Sequence, residues 1–439
     1  MRIAWFSPLP PVRSGIASDN AALLARLDAT LAIDRFVEGA GRRPAGARVF
    51  DAHDFVWRHQ REPYDLVTYQ LGNASCHDYI WAYLAKYPGL VVLHDPRLHH
   101  ARAQHLLRLG RFDDYRAEFR YDHPGAPADA AEYAVQGLSG SIYYFWPMLR
   151  VVMRTARLVA VHNERVAADL REEFPGTPIA AIRLGKPPFD AGAAARARTR
   201  AALDVPDASV LFAAFGKLTA EKRVGAILRA FAALVAEGAD VCLLLAGDAS
   251  ECSTLTRDLS ALGIAGRVRV AGYVAEEEVG EYLAAADACV CLRWPTALET
   301  SGSWVQCLAA ARPTVISDLA HLVDIPTIDP RTWRPNHPSR EPVAITIDLL
   351  DEDRALLLAM RRLTDDARLR EDLGRAGHAC WAADHTLEAM ASDYTRVIAD
   401  ASTRPSPAAA DLPAHFTRDY ADLARAIAHQ FGVDVDILR

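Results

Sequence analysis

The chain has 439 residues, of which 51% are hydrophobic and 24% charged. That balance suits a packed protein of two or three domains and excludes a largely disordered chain or a disulfide-stapled miniprotein. A formal net charge of −7 gives no whole-protein field for nucleic acid.

The opening Met1–Pro8 has too short an apolar run for a signal peptide and reads as a first strand. No apolar run reaches the roughly 18 residues of a membrane span. The seven cysteines (Cys76, Cys242, Cys252, Cys289, Cys291, Cys307, Cys380) contain no C-x-x-C pair. Buried reduced thiols in a cytoplasmic protein are therefore expected. Of 49 basic residues only Lys86, Lys186, Lys217 and Lys222 are lysine, so their positions carry information.

In chain order, the pattern predicts a strand at 3–7, a helix at 18–27, a strand at 66–70, a helix at 79–86 and a strand at 90–94. Continuous apolar runs between amphipathic helices point to a parallel sheet covered on both faces. Residues 98–154 read as an arginine-rich helical insertion broken at 122–129, followed by strands at 158–162 and 179–184. The Gly/Pro stretch 185–190 and Ala-rich 191–207 suggest a linker. A second strand–helix alternation follows, with strands at 210–215, 241–246, 268–271, 288–292 and 314–317. Helices are expected at 224–236, 253–262, 276–285, 303–310, 355–363 and 386–399, then an Ala/Pro/Ser-rich tail with a short helix near 419–431. The fold class is thus α/β, with two doubly wound sheets and a cleft where ligands meet the strand ends.

Two loops carry the chemistry. Gly216-Lys217-Leu218-Thr219-Ala220-Glu221-Lys222 follows a strand, opens a helix and holds half of the lysines. A glycine there admits an anion to the backbone, and two cations lie beside a positively polarised helix end. A P-loop is absent. Thr296–Ser303 precedes a helix, and its hydroxyls suit N-capping. Capping leaves Glu299 at the cleft mouth unexplained. His94 ends an apolar strand, where a binding residue would project. His94, Asp95, His99 and His100 lack convergent metal-ligand spacing, and no D-x-D motif presents itself, so no metal is expected. The aromatic run Ser141–Met148 suits core, an acceptor groove or peripheral membrane contact.

Together, Phe215-Gly216-Lys217…Glu221-Lys222, Leu243–Asp248, Val270–Val274, Ala284–Ala288 and Pro295…Glu299-Thr300-Ser301-Gly302…Ala311–Val315 resemble the donor domain of glycosyltransferase family 4. Pro10–Ala17 and Val92–Asp95 resemble that family's acceptor domain more loosely. The resemblance implies a GT-B fold of two facing Rossmann-like domains. Residues 1–190 would bind acceptor, with 98–154 inserted. Residues 191–207 would link them and 208–385 bind the nucleotide sugar. Residues 386–400 would form a helix packing back on the first domain, and 401–439 a tail.

The same resemblance implies a retaining, metal-independent hexosyltransferase of polysaccharide-type biosynthesis that needs no cofactor. Its donor would be UDP- or GDP-linked and its acceptor a glycan, a lipid-linked sugar or a small molecule. A lipid-linked acceptor would bring it to the inner face of the membrane. Glu299 and His94 would be catalytic. Gly15, Gly216, Lys217, Lys222, Tyr273, Val274, Thr300, Ser301, Gly302 and Ser303 would hold the donor. Gln306 stands, with one residue fewer in the segment, where the family has its second, ribose-gripping glutamate. A nucleotide-sugar epimerase and a catalytically inactive nucleotide-sugar-binding protein are the alternatives.

Overall fold

A computed structural model describes residues 1–39, 48–138, 140, 142–189, 192–408, 411–418 and 421–432. Its first sheet runs in the order β3-β2-β1-β4-β5-β6-β7, all parallel. These strands are β1 (Arg2–Phe6), β2 (Ala32–Val37), β3 (Val49–Asp51), β4 (Leu66–Leu71), β5 (Leu90–Leu93), β6 (Leu158–Val161) and β7 (Ile179–Ala181). Every residue of β4, β5 and β6 is buried, which is why β5 and β6 read as unbroken apolar runs; β4 also buries Thr68 and Gln70.

The second sheet comprises β8 (Val210–Phe215), β9 (Val241–Ala246), β10 (Val268–Gly272), β11 (Ala288–Cys291), β12 (Thr314–Ser317), β13 (Thr327–Asp329), β14 (Arg334–Pro335) and β15 (Ala344–Ile347). Its order is β10-β9-β8-β11-β12-β15-β13-β14, parallel except for β14. Strand order reverses between β1 and β4 in one sheet and between β8 and β11 in the other. Loops after those strands open a crevice at each switch point.

The structure adds elements that the sequence pattern passed over. β2, β3 and the helix Asp54–Arg61 lie between 28 and 65, and β13, β14, β15 and the helix Ala367–Asp384 lie after 317. The expected linker 191–207 contains the helix Ala193–Ala202, packed on Val279–Ala285. Alanines favour helix, and the arginines anchor it. Arg196 donates to the carbonyls of Ala284 and Ala285 and to Asp287 Oδ1 (2.6 Å), while buried Arg200 donates to Asp287 Oδ2 (3.1 Å). Both guanidiniums thus cap the negative end of the neighbouring helix.

The insertion resolves into helices His99–Arg108, Phe112–Asp122, Ala130–Val135, Ile142–Phe145 and Arg150–Thr155, with a core around Leu106, Tyr115, Phe119 and Met148. Within the aromatic run, Ser141 lies outside the described residues. Trp146 packs on Phe119, whereas the Tyr144 hydroxyl crosses to Glu221 Oε1 at 2.8 Å.

The helix Leu387–Thr403 returns to the first sheet. Tyr394 packs on Trp5 and donates to Gln70 Oε1, and Asp393 accepts from the backbone N and guanidinium of Arg183. The two chain passages between the sheets run side by side, with Lys186 N donating to His385 O at 2.9 Å. A Cβ on Gly185 would stand 2.2 Å from Thr386 O, so only glycine lets the passages touch.

Candidate functional site

Between the two sheets lies a cleft of about 470 Å³, lined by loops from both. Every residue given a catalytic or donor-binding role from the sequence lines it: Gly15, His94, Gly216, Lys217, Lys222, Tyr273, Val274, Glu299, Thr300, Ser301, Gly302, Ser303 and Gln306. The loops after β8 and β11, at the switch point, are locked together. Trp294 N donates to Glu221 O at 2.8 Å, and Lys222 Nζ to Ser303 Oγ at 3.1 Å.

Gly216 takes φ +94°, a conformation that favours glycine, and turns the chain from β8 toward the cleft. Lys222 Nζ also donates to Phe215 O at 3.1 Å. Burial, then the nearby Arg293 charge, bring the Lys222 ammonium from an ordinary 10.5 down to about 8. Lys217 differs: its ammonium pairs with Glu251 and is half exposed. Ser301 caps the helix Gly302–Ala309 by accepting from Trp304 N, so the capping role foreseen for these hydroxyls is real. The remaining first-turn amides lack helical partners and present a positive end beside Lys222. Thr300 Oγ1 donates to His162 O at 2.7 Å, a bond between the two halves.

Glu299 is held firmly. One carboxylate oxygen meets Arg293 Nε at 2.5 Å, and the other accepts from Thr296 Oγ1 and Ala297 N, both at 2.9 Å. Its charge is felt across the cleft by Asp95, whose acidity is weakened by burial and then by Glu299. Asp95 accepts from Asn73 N at 2.7 Å. His94 Nε2 meets Gln70 Oε1 at 2.8 Å, and its ring lies 4.8 Å from that of His162. Burial, and then His162, hold the His94 imidazole well below its usual range, so it is neutral at pH 7.

At the other end, Gln306 Nε2 donates to Glu276 Oε1 at 2.6 Å. The position that departs from the family pattern therefore borders a carboxylate supplied by a different loop. Arg13 stacks on the Tyr273 ring at 4.5 Å, joining the first loop to the loop after β10. Gly15 opens the helix Gly15–Leu27, whose N-cap Ser14 makes no side-chain capping bond.

The sequence reading assigned no role to Arg13, Asp19, Asp95, His162, Lys186, Glu276 or Arg293, all of which line the cleft. Lys186 is buried and paired with Asp19. Burial opposes its charge, but Asp19 and then Glu276 outweigh that and hold the ammonium above its ordinary range. Its rarity as a lysine was the available signal. Arg293, one of many arginines, had none.

Residues 209–331 match the family model described as glycosyl transferases group 1. The match spans six of the eight strands of the second sheet, β8 to β13. No curated protein matches the chain in sequence. Among solved structures, sucrose-phosphate synthase from Thermosynechococcus elongatus is similar at 17% identity and TM-score 0.64, over 91% of this chain and 98% of that one. Anabaena HepE in complex with UDP and glucose is similar at 14% identity and TM-score 0.63, covering 91% and 100%. WaaG, a glycosyltransferase involved in lipopolysaccharide biosynthesis, is similar at 13% identity and TM-score 0.61, again covering 91% and 100%. At such identities the likeness establishes the fold, and the fold is GT-B. Among the described residues, no helix is long and apolar enough to cross a membrane.

Proposed function

We propose that this protein is a retaining glycosyltransferase that moves a hexose from a nucleoside-diphosphate sugar to a sugar-containing acceptor. The observation that carries this reading is the constellation of Lys222, the start of helix Gly302–Ala309 and Glu299 on two loops of one switch point. Lys222 and the first-turn amides would receive the diphosphate, where a fixed positive environment stabilises the leaving group as the glycosidic bond breaks. Arg13 adds a cation to the same cleft, while Arg293 and Lys186 are already paired with Glu299 and Asp19; Lys222, Arg13 and the helix amides would perform the neutralisation without a metal. UDP-hexoses are the first donors to test, since HepE is crystallised with UDP and glucose; GDP-hexoses come second.

Glu299 sits at the mouth of the anion-holding turn, with Arg293 fixing its carboxylate. There it would face the donor sugar and stabilise positive charge developing at the anomeric carbon. Neutral His94, on the opposite wall, can hydrogen-bond a sugar hydroxyl without repelling that charge. A retaining course is in keeping with the family resemblance. The first loop, through Arg13 and Gly15, and the first sheet's His94 and Asp95 form the other wall, so approach of the halves would exclude water and favour transfer over hydrolysis.

The test is release of nucleoside diphosphate from each donor with and without acceptor mixtures, with the product anomer read by NMR. Acceptor-dependent release with retention is expected. Acceptor-independent interconversion of sugars would favour an epimerase. Binding without release would leave a nucleotide-sugar-binding protein.

A further inference from the structure

One side chain of the helical insertion reaches across to the other half of the chain. The Tyr144 hydroxyl, on the helix Ile142–Phe145, donates to Glu221 Oε1 at 2.8 Å. The hydroxyl keeps its proton and the carboxyl its charge. Burial, and then the bond to Glu221, hold the Tyr144 hydroxyl above its usual range. Burial opposes the Glu221 charge, but bonds from Thr219, from its own backbone and from Tyr144 outweigh it and keep the carboxyl below its usual range. The contact is therefore a charge-assisted hydrogen bond between two half-buried groups.

Both ends of this bond are anchored. Arg97, on the loop after β5 that carries His94 and Asp95, donates to Tyr144 O, and Leu98 N donates to Pro147 O at 2.8 Å. Glu221 O accepts from Trp294 N at 2.8 Å, which joins the loop of Lys222 to the loop of Glu299. Through Tyr144 the wall of His94 and Asp95 is thus tied to both donor loops. The charges of Glu299 and Arg293 act on the Tyr144 hydroxyl, which sets the bond beside the Glu299 end of the cleft. Thr300 Oγ1 to His162 O and Arg13 over Tyr273 also cross between the halves, but neither engages the insertion. The transfer chemistry above uses neither Tyr144 nor Glu221, and neither lines the cleft.

We propose that Tyr144 is a positioning residue whose bond to Glu221 latches the insertion onto the donor loops, and that this bond must break before a nucleotide enters or leaves the cleft. The gating of nucleotide rests on the donor-site reading above; the latch itself does not. Because the same bond spans the empty and the filled cleft, its strength cancels in the affinity and shows in the rates. Losing it should speed entry and exit together.

Tyr144→Phe removes the hydroxyl and keeps the ring, and Glu221→Ala removes the acceptor. Surface plasmon resonance of UDP on the immobilised full chain should show association and dissociation each at least ~10-fold faster in Tyr144→Phe, with Kd within ~3-fold of the parent. The double variant should be no faster than the faster of the two single variants, since both changes remove one bond. Hydrogen exchange without nucleotide tests the latch by itself. Tyr144→Phe should speed amide exchange in 216–223, on the other half, and Glu221→Ala should speed it in 142–149. Unchanged UDP rates, rate gains that multiply in the double variant, or faster exchange confined to the substituted side would each overturn the proposal. So would a lower melting temperature with parental rates, which would leave Tyr144 a brace of the insertion. If UDP does not bind the parent, the donor-site reading fails, while the exchange measurement still decides the latch.

Discussion

Lys222 is poised to respond to pH in the range where a buried lysine loses its proton. Its ammonium is lowered from 10.5 to about 8, first by burial and then by Arg293. A bound diphosphate adds negative charge beside the ammonium, so binding should restore the proton. If the bound lysine stays charged throughout, affinity scales with the charged fraction of the free protein. Between pH 7.5 and pH 9.5 that amounts to a loss of about 25-fold for UDP. Lys222→Met has no proton to lose there, so its weaker affinity should vary far less across the window.

The same shift makes a stability prediction of opposite direction. The folded state holds the Lys222 proton less tightly than the unfolded chain does. Its cost is therefore fully present below pH 8 and relieved as pH rises toward 10.5. Relative to Lys222→Met, the parent should gain about 2–3 kcal/mol between pH 7 and pH 10. Isothermal calorimetry with UDP and urea unfolding, both across pH, measure the two effects. A ratio of parent to variant affinity that is the same at pH 7.5 and 9.5 would refute the reasoning.

Glu299→Gln should transfer sugar at least ~100-fold more slowly, a loss of about 2.7 kcal/mol in transition-state stabilisation, while keeping near-normal affinity for free nucleoside diphosphate. A variant that melts lower yet turns over normally would make Glu299 a brace for Arg293 and the turn. Asp95→Asn removes a carboxylate that burial and Glu299 make costly to ionise, so it should melt above the parent at pH 8, with the gap closing as pH falls toward 4. EDTA should leave turnover largely intact; complete loss restored by a divalent ion would overturn the metal-independent reading. Asp393→Ala strips the carboxylate that holds the half-exposed Arg183 to the returning helix, and a destabilisation of about 1–2 kcal/mol is expected in thermal or urea unfolding.

What the sequence alone determined here was local and periodic. Strands buried on both faces, such as Leu90–Leu93 and Val241–Ala246, announce themselves as apolar runs, and glycine, lysine and hydroxyl residues after strands mark the loops that open on the cleft. Short or polar edge strands such as Val49–Asp51 and Arg334–Pro335 carry no such signal, because the sheet rather than their own composition recruits them. Ala193–Ala202 read as a linker because its anchoring partners, Asp287 and the carbonyls of Ala284–Ala286, lie more than eighty residues away.

Tertiary structure decided which charges meet. Lys217 and Lys222 look alike in sequence, yet one pairs with Glu251 at the surface while the other is drawn over Phe215 O into the cleft. Gln306 borders Glu276 and Arg293 clasps Glu299, each through where another segment comes to rest. The strength of such pairings depends on distance and burial, and both are properties of the folded chain rather than of neighbouring residues in it.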